Sequence, residues 1–261
     1  MILEYHRPQK LEEALALIAR PTPPTFPLGG GTVLTQPGTE QFAVVDLQDL
    51  GLNTLELRGN TLGIGAMVRL ADLLDFPETP PELKAVIRLE ASHNLRQAAT
   101  VAGTLVSGDG RSPLTCAFLA LNAELVMMPG DGAVPLGELL PLREEKLTGK
   151  LITEIVLPKT AALFYDQVSR SPADRPLVSA AVTAWPSGRT RVVLGGYGNS
   201  PVLVFDGPRS PGAEISARDA YSRAEDAWAS GEFRAITAEK LVLRALQSFG
   251  ATQPDLEGNP V

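Results

Sequence analysis

The sequence predicts an α+β protein in two parts, and the prediction rests on three observations. First, the run Gly29-Gly30-Gly31-Thr32 lies between a helical pattern and a short apolar strand pattern, the layout of a small α/β unit. Second, a further α/β unit opens on a hairpin signal at Arg58-Gly59-Asn60 and closes on an apolar strand before Pro158. Third, beyond about residue 160 several strand patterns come in succession and two helical patterns follow, the order of an α+β layer. The expected domains are residues 1–160, divided into 1–54 and 55–160, and residues 161–261.

In chain order, Leu11, Ala14, Leu15 and Ile18 recur at helical spacing, with Glu12, Glu13 and Arg20 off that face, so one amphipathic helix is expected between Pro8 and Arg20. Pro8 suits its first turn. The proline-rich Pro21 to Pro24 ends the helix and leads into the glycine run, and Phe42 to Leu47 reads as a buried strand. Leu55-Glu56-Leu57 and Thr61 to Ala66 form the hairpin. Helices are expected at Pro81 to Glu90, with Leu83, Val86 and Ile87 on one stripe, and at Pro113 to Asn122, with Leu114, Ala117, Phe118 and Leu121 on another. Ala99 to Gly110, rich in hydroxyls and small residues, is expected to be a loop. Leu125 to Met128, the turn Pro129-Gly130-Asp131-Gly132 and the strand Leu151 to Leu157 complete this part. Strands are then expected around Phe164, at Val178 to Ala184, Thr190 to Leu194 and Val202 to Phe205. The final helix, Ala238 to Phe249, is expected to stop at Gly250.

Composition removes several function classes. With 44% hydrophobic residues the chain can build a real core. Its 30 acidic and 23 basic residues are dispersed, whereas a nucleic-acid surface needs clustered Lys and Arg, so no nucleic-acid partner is expected. No apolar run approaches the roughly 18–20 residues of a membrane span, and Met1 to Arg20 lacks a signal-peptide core, which makes cytoplasmic residence the expectation. Cys116 is the only cysteine, so neither an intrachain disulfide nor a thiolate metal cluster is expected; it reads as a small core residue. His6 and His93 form no ligand pair. No resident metal and no acid, base or nucleophile are expected.

The chemistry lies in backbone. In Pro27-Leu28-Gly29-Gly30-Gly31-Thr32-Val33-Leu34, successive N–H groups can curl around an anion and Thr32 adds a hydroxyl donor, an arrangement that suits a pyrophosphate. A branched side chain at Gly30 or Gly31 is expected to fill the space the phosphate needs. The second candidate loop, Thr100-Val101-Ala102-Gly103-Thr104, is equally small and hydroxyl-rich.

Together these stretches resemble the flavin-binding subunits of the molybdenum hydroxylases, among them the medium subunit of carbon monoxide dehydrogenase and the middle segment of xanthine dehydrogenase. The marks of the resemblance, in order, are Gly29-Gly30-Gly31-Thr32, Val45-Asp46-Leu47, Leu62 to Ala66, Leu95-Arg96 leading to Thr100-Val101-Ala102-Gly103-Thr104, Phe118 to Glu124, Ile155 to Pro158, Tyr165 with Arg170, and Asp226 to Arg234. They cover nearly the whole chain. The resemblance implies an FAD-binding domain of two α/β subdomains, of the vanillyl-alcohol-oxidase type, followed by a C-terminal α+β domain of three to four antiparallel strands plus helices. It implies FAD ligands at Pro27 to Leu34, at Thr100 to Thr104, and at Asp109, Ile152 and Gln167.

It further implies an electron-transfer subunit, which takes electrons from a small 2Fe-2S iron–sulfur subunit, serves a large molybdopterin-binding subunit, and passes the electrons to an external acceptor. The implied assembly is a dimer of heterotrimers. The chain departs from the family pattern in three places. Ala102-Gly103 stands where two glycines are usual, Pro113 where an aspartate faces the flavin's sugar-alcohol chain, and Gln167 where one branch has lysine. These departures motivate an alternative, a structural subunit that keeps the fold without flavin. A stand-alone flavin reductase is the third reading; it would need a proton donor near the flavin.

Overall fold

The structure, a computed structural model, describes residues 1–36, 38–130, 132–209 and 212–251. These form two compact units, Met1–Gly108 with Asn122–Thr160, and Asp109–Leu121 with the chain from Ala161 onward.

The first unit begins with β1 (Ile2–His6), α1 (Leu11–Ile18), β2 (Thr25–Leu28) and β3 (Phe42–Asp46). The three strands form a parallel sheet in the order β1-β3-β2. Helix α1 lays Ala14 and Ile18 against Val45 and Leu47, with Leu11 and Leu15 at the rim, which is the apolar stripe expected from the sequence. The helix starts at Leu11, so Pro8 precedes it instead of entering its first turn. Strand β1 has no counterpart in the sequence reading. Most of its side chains are exposed, so it carries no in–out alternation to detect.

Next come β4 (Leu55–Arg58) and β5 (Thr61–Gly65), the expected hairpin. They are followed by α2 (Leu70–Asp75), α3 (Pro81–Glu90), α4 (His93–Arg96) and α5 (Val101–Ser107). In α3, Leu83, Val86 and Ile87 are the buried residues, as the spacing predicts. Helix α6 (Pro113–Ala120) follows in sequence but belongs to the second unit. The chain re-enters the first unit with β6 (Glu124–Met128), β7 (Ala133–Pro135), α7 (Leu136–Leu139), α8 (Arg143–Leu147) and β8 (Leu151–Pro158). Of the turn expected between β6 and β7, Asp131 lies outside the described residues. A five-stranded antiparallel sheet runs β4-β5-β8-β6-β7.

In the second unit β9 (Ala162–Val168), β10 (Val178–Ala184), β11 (Arg189–Gly195) and β12 (Val202–Pro208) make an antiparallel sheet in the order β12-β11-β10-β9. Helices α9 (Ala213–Tyr221) and α10 (Gly231–Ala251) cover one face, packing Ala217, Tyr221, Leu241, Val242 and Ala245 against Val178, Ala180, Val182, Val192 and Leu194. Helix α6 lies against β10 and β11, where Thr183 Oγ1 donates to the Ala120 carbonyl at 2.7 Å. All its residues are buried, so α6 is an interior helix and not the amphipathic one its spacing suggested. Helix α10 starts seven residues before the predicted Ala238 and continues through Gly250, so that glycine is no stop.

Arg234 of α10 is fully buried and its charge is fully engaged. It donates to the carbonyls of Leu177, Ala224 and Ala229 and forms a two-pronged pair with Asp226 at 2.9 and 3.0 Å. Arg111, just before α6, also donates to Asp226, at 3.1 Å. The Asp226-to-Arg234 stretch noted in the sequence is therefore an electrostatic anchor for the start of α10, built on a buried arginine and a half-buried aspartate.

Candidate functional site

The two backbone stretches singled out in the sequence meet within the first unit. Strand β2 delivers Pro27 and Leu28, and the chain then leaves the sheet at Gly29. A Cβ placed on Gly29 would sit 2.9 Å from Thr100 Oγ1. One placed on Gly30 would overlap the Ala98 carbonyl, 2.6 Å from its carbon and 3.1 Å from Ala99 Cα. Real Cβ atoms are essentially never found under 3.0 Å from another heavy atom, so a side chain at Gly29 would have to displace the Thr100 hydroxyl and one at Gly30 the Ala98 backbone. The expectation for Gly30 is corrected accordingly: a side chain there would strike the protein's own second loop whether or not a phosphate is bound. Gly31 differs: an added Cβ would meet only ordinary van der Waals contacts, with Thr35 and Leu28, but φ is +71°, so its requirement is conformational.

Thr32 to Thr35 then turn back on themselves, with Thr35 N–H on the Gly31 carbonyl at 3.3 Å and Gln36 Nε2 donating to the Thr32 carbonyl at 3.1 Å. None of the backbone N–H groups of Gly29 to Leu34 donates to an acceptor among the described residues, and neither does the Thr32 hydroxyl. A run of donors left open this way, beside a close glycine contact, is able to receive an anion.

The second stretch is a helix and not the loop the sequence suggested. Thr100 is the N-cap of α5, its hydroxyl accepting the Gly103 N–H at 3.1 Å. Thr104 and Ser107 return their hydroxyls to the carbonyls of Thr100 and Gly103 at 2.9 and 2.8 Å. The signals were there: a capping threonine, and Val101 and Leu105 one turn apart, both buried. Val101 and Ala102 point inward, whereas Gly103 is exposed. The segment is braced from outside either motif. Leu70 N–H donates to the Ala99 carbonyl at 2.9 Å, Val101 N–H to the Val68 carbonyl at 2.8 Å, and Arg69 faces Thr100 across an antiparallel bridge. Sequence reasoning did not find this Val68-Arg69-Leu70 brace.

Ile152 is buried in β8, paired with Met127 of β6, and α5 packs on that strand. Asp109 and Gln167 belong to the second unit. Asp109 accepts the Arg111 N–H at 2.8 Å and pairs with Arg175 at 3.0 Å. Gln167 lies in β9, its Oε1 accepting the Tyr165 hydroxyl at 2.8 Å and its Nε2 donating to Ser169 Oγ at 3.1 Å. Arg170 is exposed, stacked 4.4 Å from the centre of the Trp228 ring. Pro113 opens α6, where a ring nitrogen without N–H costs nothing.

No group of three or more His, Cys, Asp or Glu side chains among the described residues could hold a metal ion. Cys116 is buried, as its place on the helix predicts, and burial pushes its thiol up to about 12. His93 is exposed, and His6 bonds Glu4 at 2.8 Å. No helix among the described residues is long and apolar enough to cross a membrane.

An α+β chain whose first unit brings a run of open N–H donors against a capped helix start has a fold and a site that suit a protein binding a phosphate-bearing ligand. The family follows from comparison with known proteins. The chain belongs to the family described as the FAD binding domain in molybdopterin dehydrogenase, whose model matches residues 1–160. It is similar to the protein YgfM of Escherichia coli (strain K12), 30% identical over 213 residues that span 79% of each chain. It is also similar to the carbon monoxide dehydrogenase medium chain of Hydrogenophaga pseudoflava, 26% identical over 95% of this chain and 97% of that one. The solved carbon monoxide dehydrogenase of the same organism shares the fold, with a TM-score of 0.77 at 23% identity over 96% of this chain and 98% of that one.

Proposed function

We propose that this chain is the FAD-carrying electron-transfer subunit of a heteromeric molybdenum hydroxylase, receiving electrons from iron–sulfur clusters on a small partner and delivering them to an external acceptor. The observation that carries the reading is the open row of N–H donors from Gly29 to Leu34, set against Ala98 to Thr100 where only glycine fits. A flavin dinucleotide has a diphosphate to occupy such a nest, and FAD is the cofactor for which the family is described. The residues fit: open N–H donors and a free hydroxyl are present, and no carboxylate belongs to either stretch.

When bound, the flavin supplies reversible redox chemistry, and the protein supplies position and electrostatics. On this reading Pro27 to Leu34 and Thr100 to Thr104 hold the diphosphate end, and Ile152 gives the site an apolar floor. Asp109 and Gln167 are assigned on resemblance alone. Ala102 is compatible with the assignment because its methyl is turned into the core, away from the exposed Gly103 edge.

The partners proposed are a small 2Fe-2S subunit and a large molybdopterin-binding subunit, arranged as a dimer of heterotrimers in the cytoplasm. Support comes from the relatives' own descriptions as medium chains and subunits of dehydrogenases and hydroxylases. The test is reconstitution. Substrate added to the chain together with its cluster-bearing and molybdenum-bearing partners should bleach the flavin band, while the chain alone should bleach with dithionite and ignore substrate. Turnover of a substrate with NADH by the chain alone, on the order of 1–1,000 per second, would replace this reading by a stand-alone reductase.

A further inference from the structure

We propose that Arg69 is the cation that recognises the diphosphate at the paired backbone stretches. The inference rests on the flavin-dinucleotide reading above and adds a residue that neither motif contains. A diphosphate brings two negative charges, yet Pro27 to Leu34 and Ala98 to Thr104 contain no Lys, Arg or His. Arg96, the nearest cation in sequence, is occupied by the carbonyls of Arg88 and Ala91. N–H groups and hydroxyls alone would have to balance that charge.

Arg69 is placed to do so. It is bridged directly to Thr100, and residues opposite one another across an antiparallel bridge project their side chains to the same side, with Cβ atoms about 4.5–5.5 Å apart. Thr100 sends its hydroxyl toward Gly29 of the first loop. The Arg69 side chain therefore starts alongside the group that joins the two stretches, and its stem is long enough to reach across them. It is exposed, and no carboxylate among the described residues pairs with it. Its local bonds are made by backbone: its N–H donates to Asp72 Oδ2 at 3.2 Å and its carbonyl accepts the Leu73 N–H at 3.1 Å.

Local stability gives no reason for arginine here. Residue 69 is the N-cap of α2 and makes no side-chain cap bond. Ser, Thr, Asp or Asn would accept a free N–H at that position, whereas arginine offers no acceptor and adds a cation beside the positive end of the helix. A guanidinium presents several donors in a plane that matches phosphate oxygens.

Because a better cap and a poorer ligand coincide in one substitution, folding and binding separate cleanly in Arg69→Thr. The thermal midpoint of the FAD-free protein should stay level or rise. Its Kd for FAD, read by quenching of flavin fluorescence at low salt, should rise about ten-fold, the scale of one charge-assisted contact. Riboflavin, which has no phosphate, should bind parent and variant alike. ADP should displace FAD from the parent more effectively than from the variant. Arg69→Lys should recover most of the affinity, and added salt should weaken the parent more than Arg69→Thr. Equal FAD affinity and equal salt response in parent and Arg69→Thr would overturn the role of Arg69 while leaving the cofactor reading intact. A parent chain that takes up no FAD would overturn both.

Discussion

Replacing Gly30 by alanine adds one carbon atom at the point where the two halves of the nest touch. That carbon would lie 2.6 Å from the Ala98 carbonyl carbon and 3.1 Å from Ala99 Cα. Ordinary carbon contacts need about 3.5–4.0 Å, so the stretches must part by about 1 Å. Both are held from behind, the first by β3 and the second by Val68 and Leu70, so the movement is resisted by backbone hydrogen bonds. Overpacking of this kind costs about 1–3 kcal/mol. If that cost falls on the assembled nest, FAD affinity drops about five- to 150-fold. The assay is a fluorescence titration of FAD-free protein, paired with a thermal melt. Two glycines act as controls. Gly31→Ala, whose added carbon has space but whose φ is +71°, should cost about 1–2 kcal/mol of local strain. Gly38→Ala, with nothing within 4 Å, should bind as the parent does. Unchanged FAD affinity in Gly30→Ala would refute the claim that the close approach of the two stretches makes the site.

Other consequences follow from the second unit. Cys116, buried with its thiol pushed up to about 12, should resist thiol reagents at pH 8 in the native protein and react once per chain in denaturant. The Tyr221 hydroxyl is buried without a hydrogen-bond partner among the described residues, so Tyr221→Phe should leave stability unchanged or raise it by about 1 kcal/mol in a denaturant melt. Burial works to raise the Asp226 carboxyl, but the N–H groups of Trp228 and Ala229 and the Arg234 guanidinium outweigh it and hold the group below its usual range. A carboxyl depressed in the folded state contributes stability above its unfolded pKa, near 4, and loses it as pH falls through the folded value. Melts below about pH 4 should therefore flatten the difference between the parent and Asp226→Asn, which is large at pH 7.

What the sequence made legible follows physical lines. Helix α3 and the β4–β5 hairpin are local structures with one solvent face, so periodicity and turn residues announce them. The glycine run is legible because glycine's lack of a side chain is itself the signal. Strand β1 escapes because it is ordered by pairing with β3, forty residues away, and not by burial of its own side chains. Helix α5 reads as a loop because its hydroxyls, which look like loop chemistry, are spent on its own cap and turns. The Val68-Arg69-Leu70 brace carries no pattern at all, since its hydrogen bonds are made by backbone and Arg69 departs from every N-cap preference. Asp109 is a flavin ligand by resemblance alone; the local turn it closes with the Arg111 N–H and its pair with Arg175 are contacts that no sequence pattern announces.

The measurement closest to the central claim is the identity and amount of flavin released when the purified chain, saturated and then freed of excess ligand, is denatured. Chromatography of the supernatant should yield FAD at close to one per chain, with FMN and riboflavin absent. Release of FMN alone, or of no flavin after saturation, would contradict the account and leave the flavin-free structural subunit in its place.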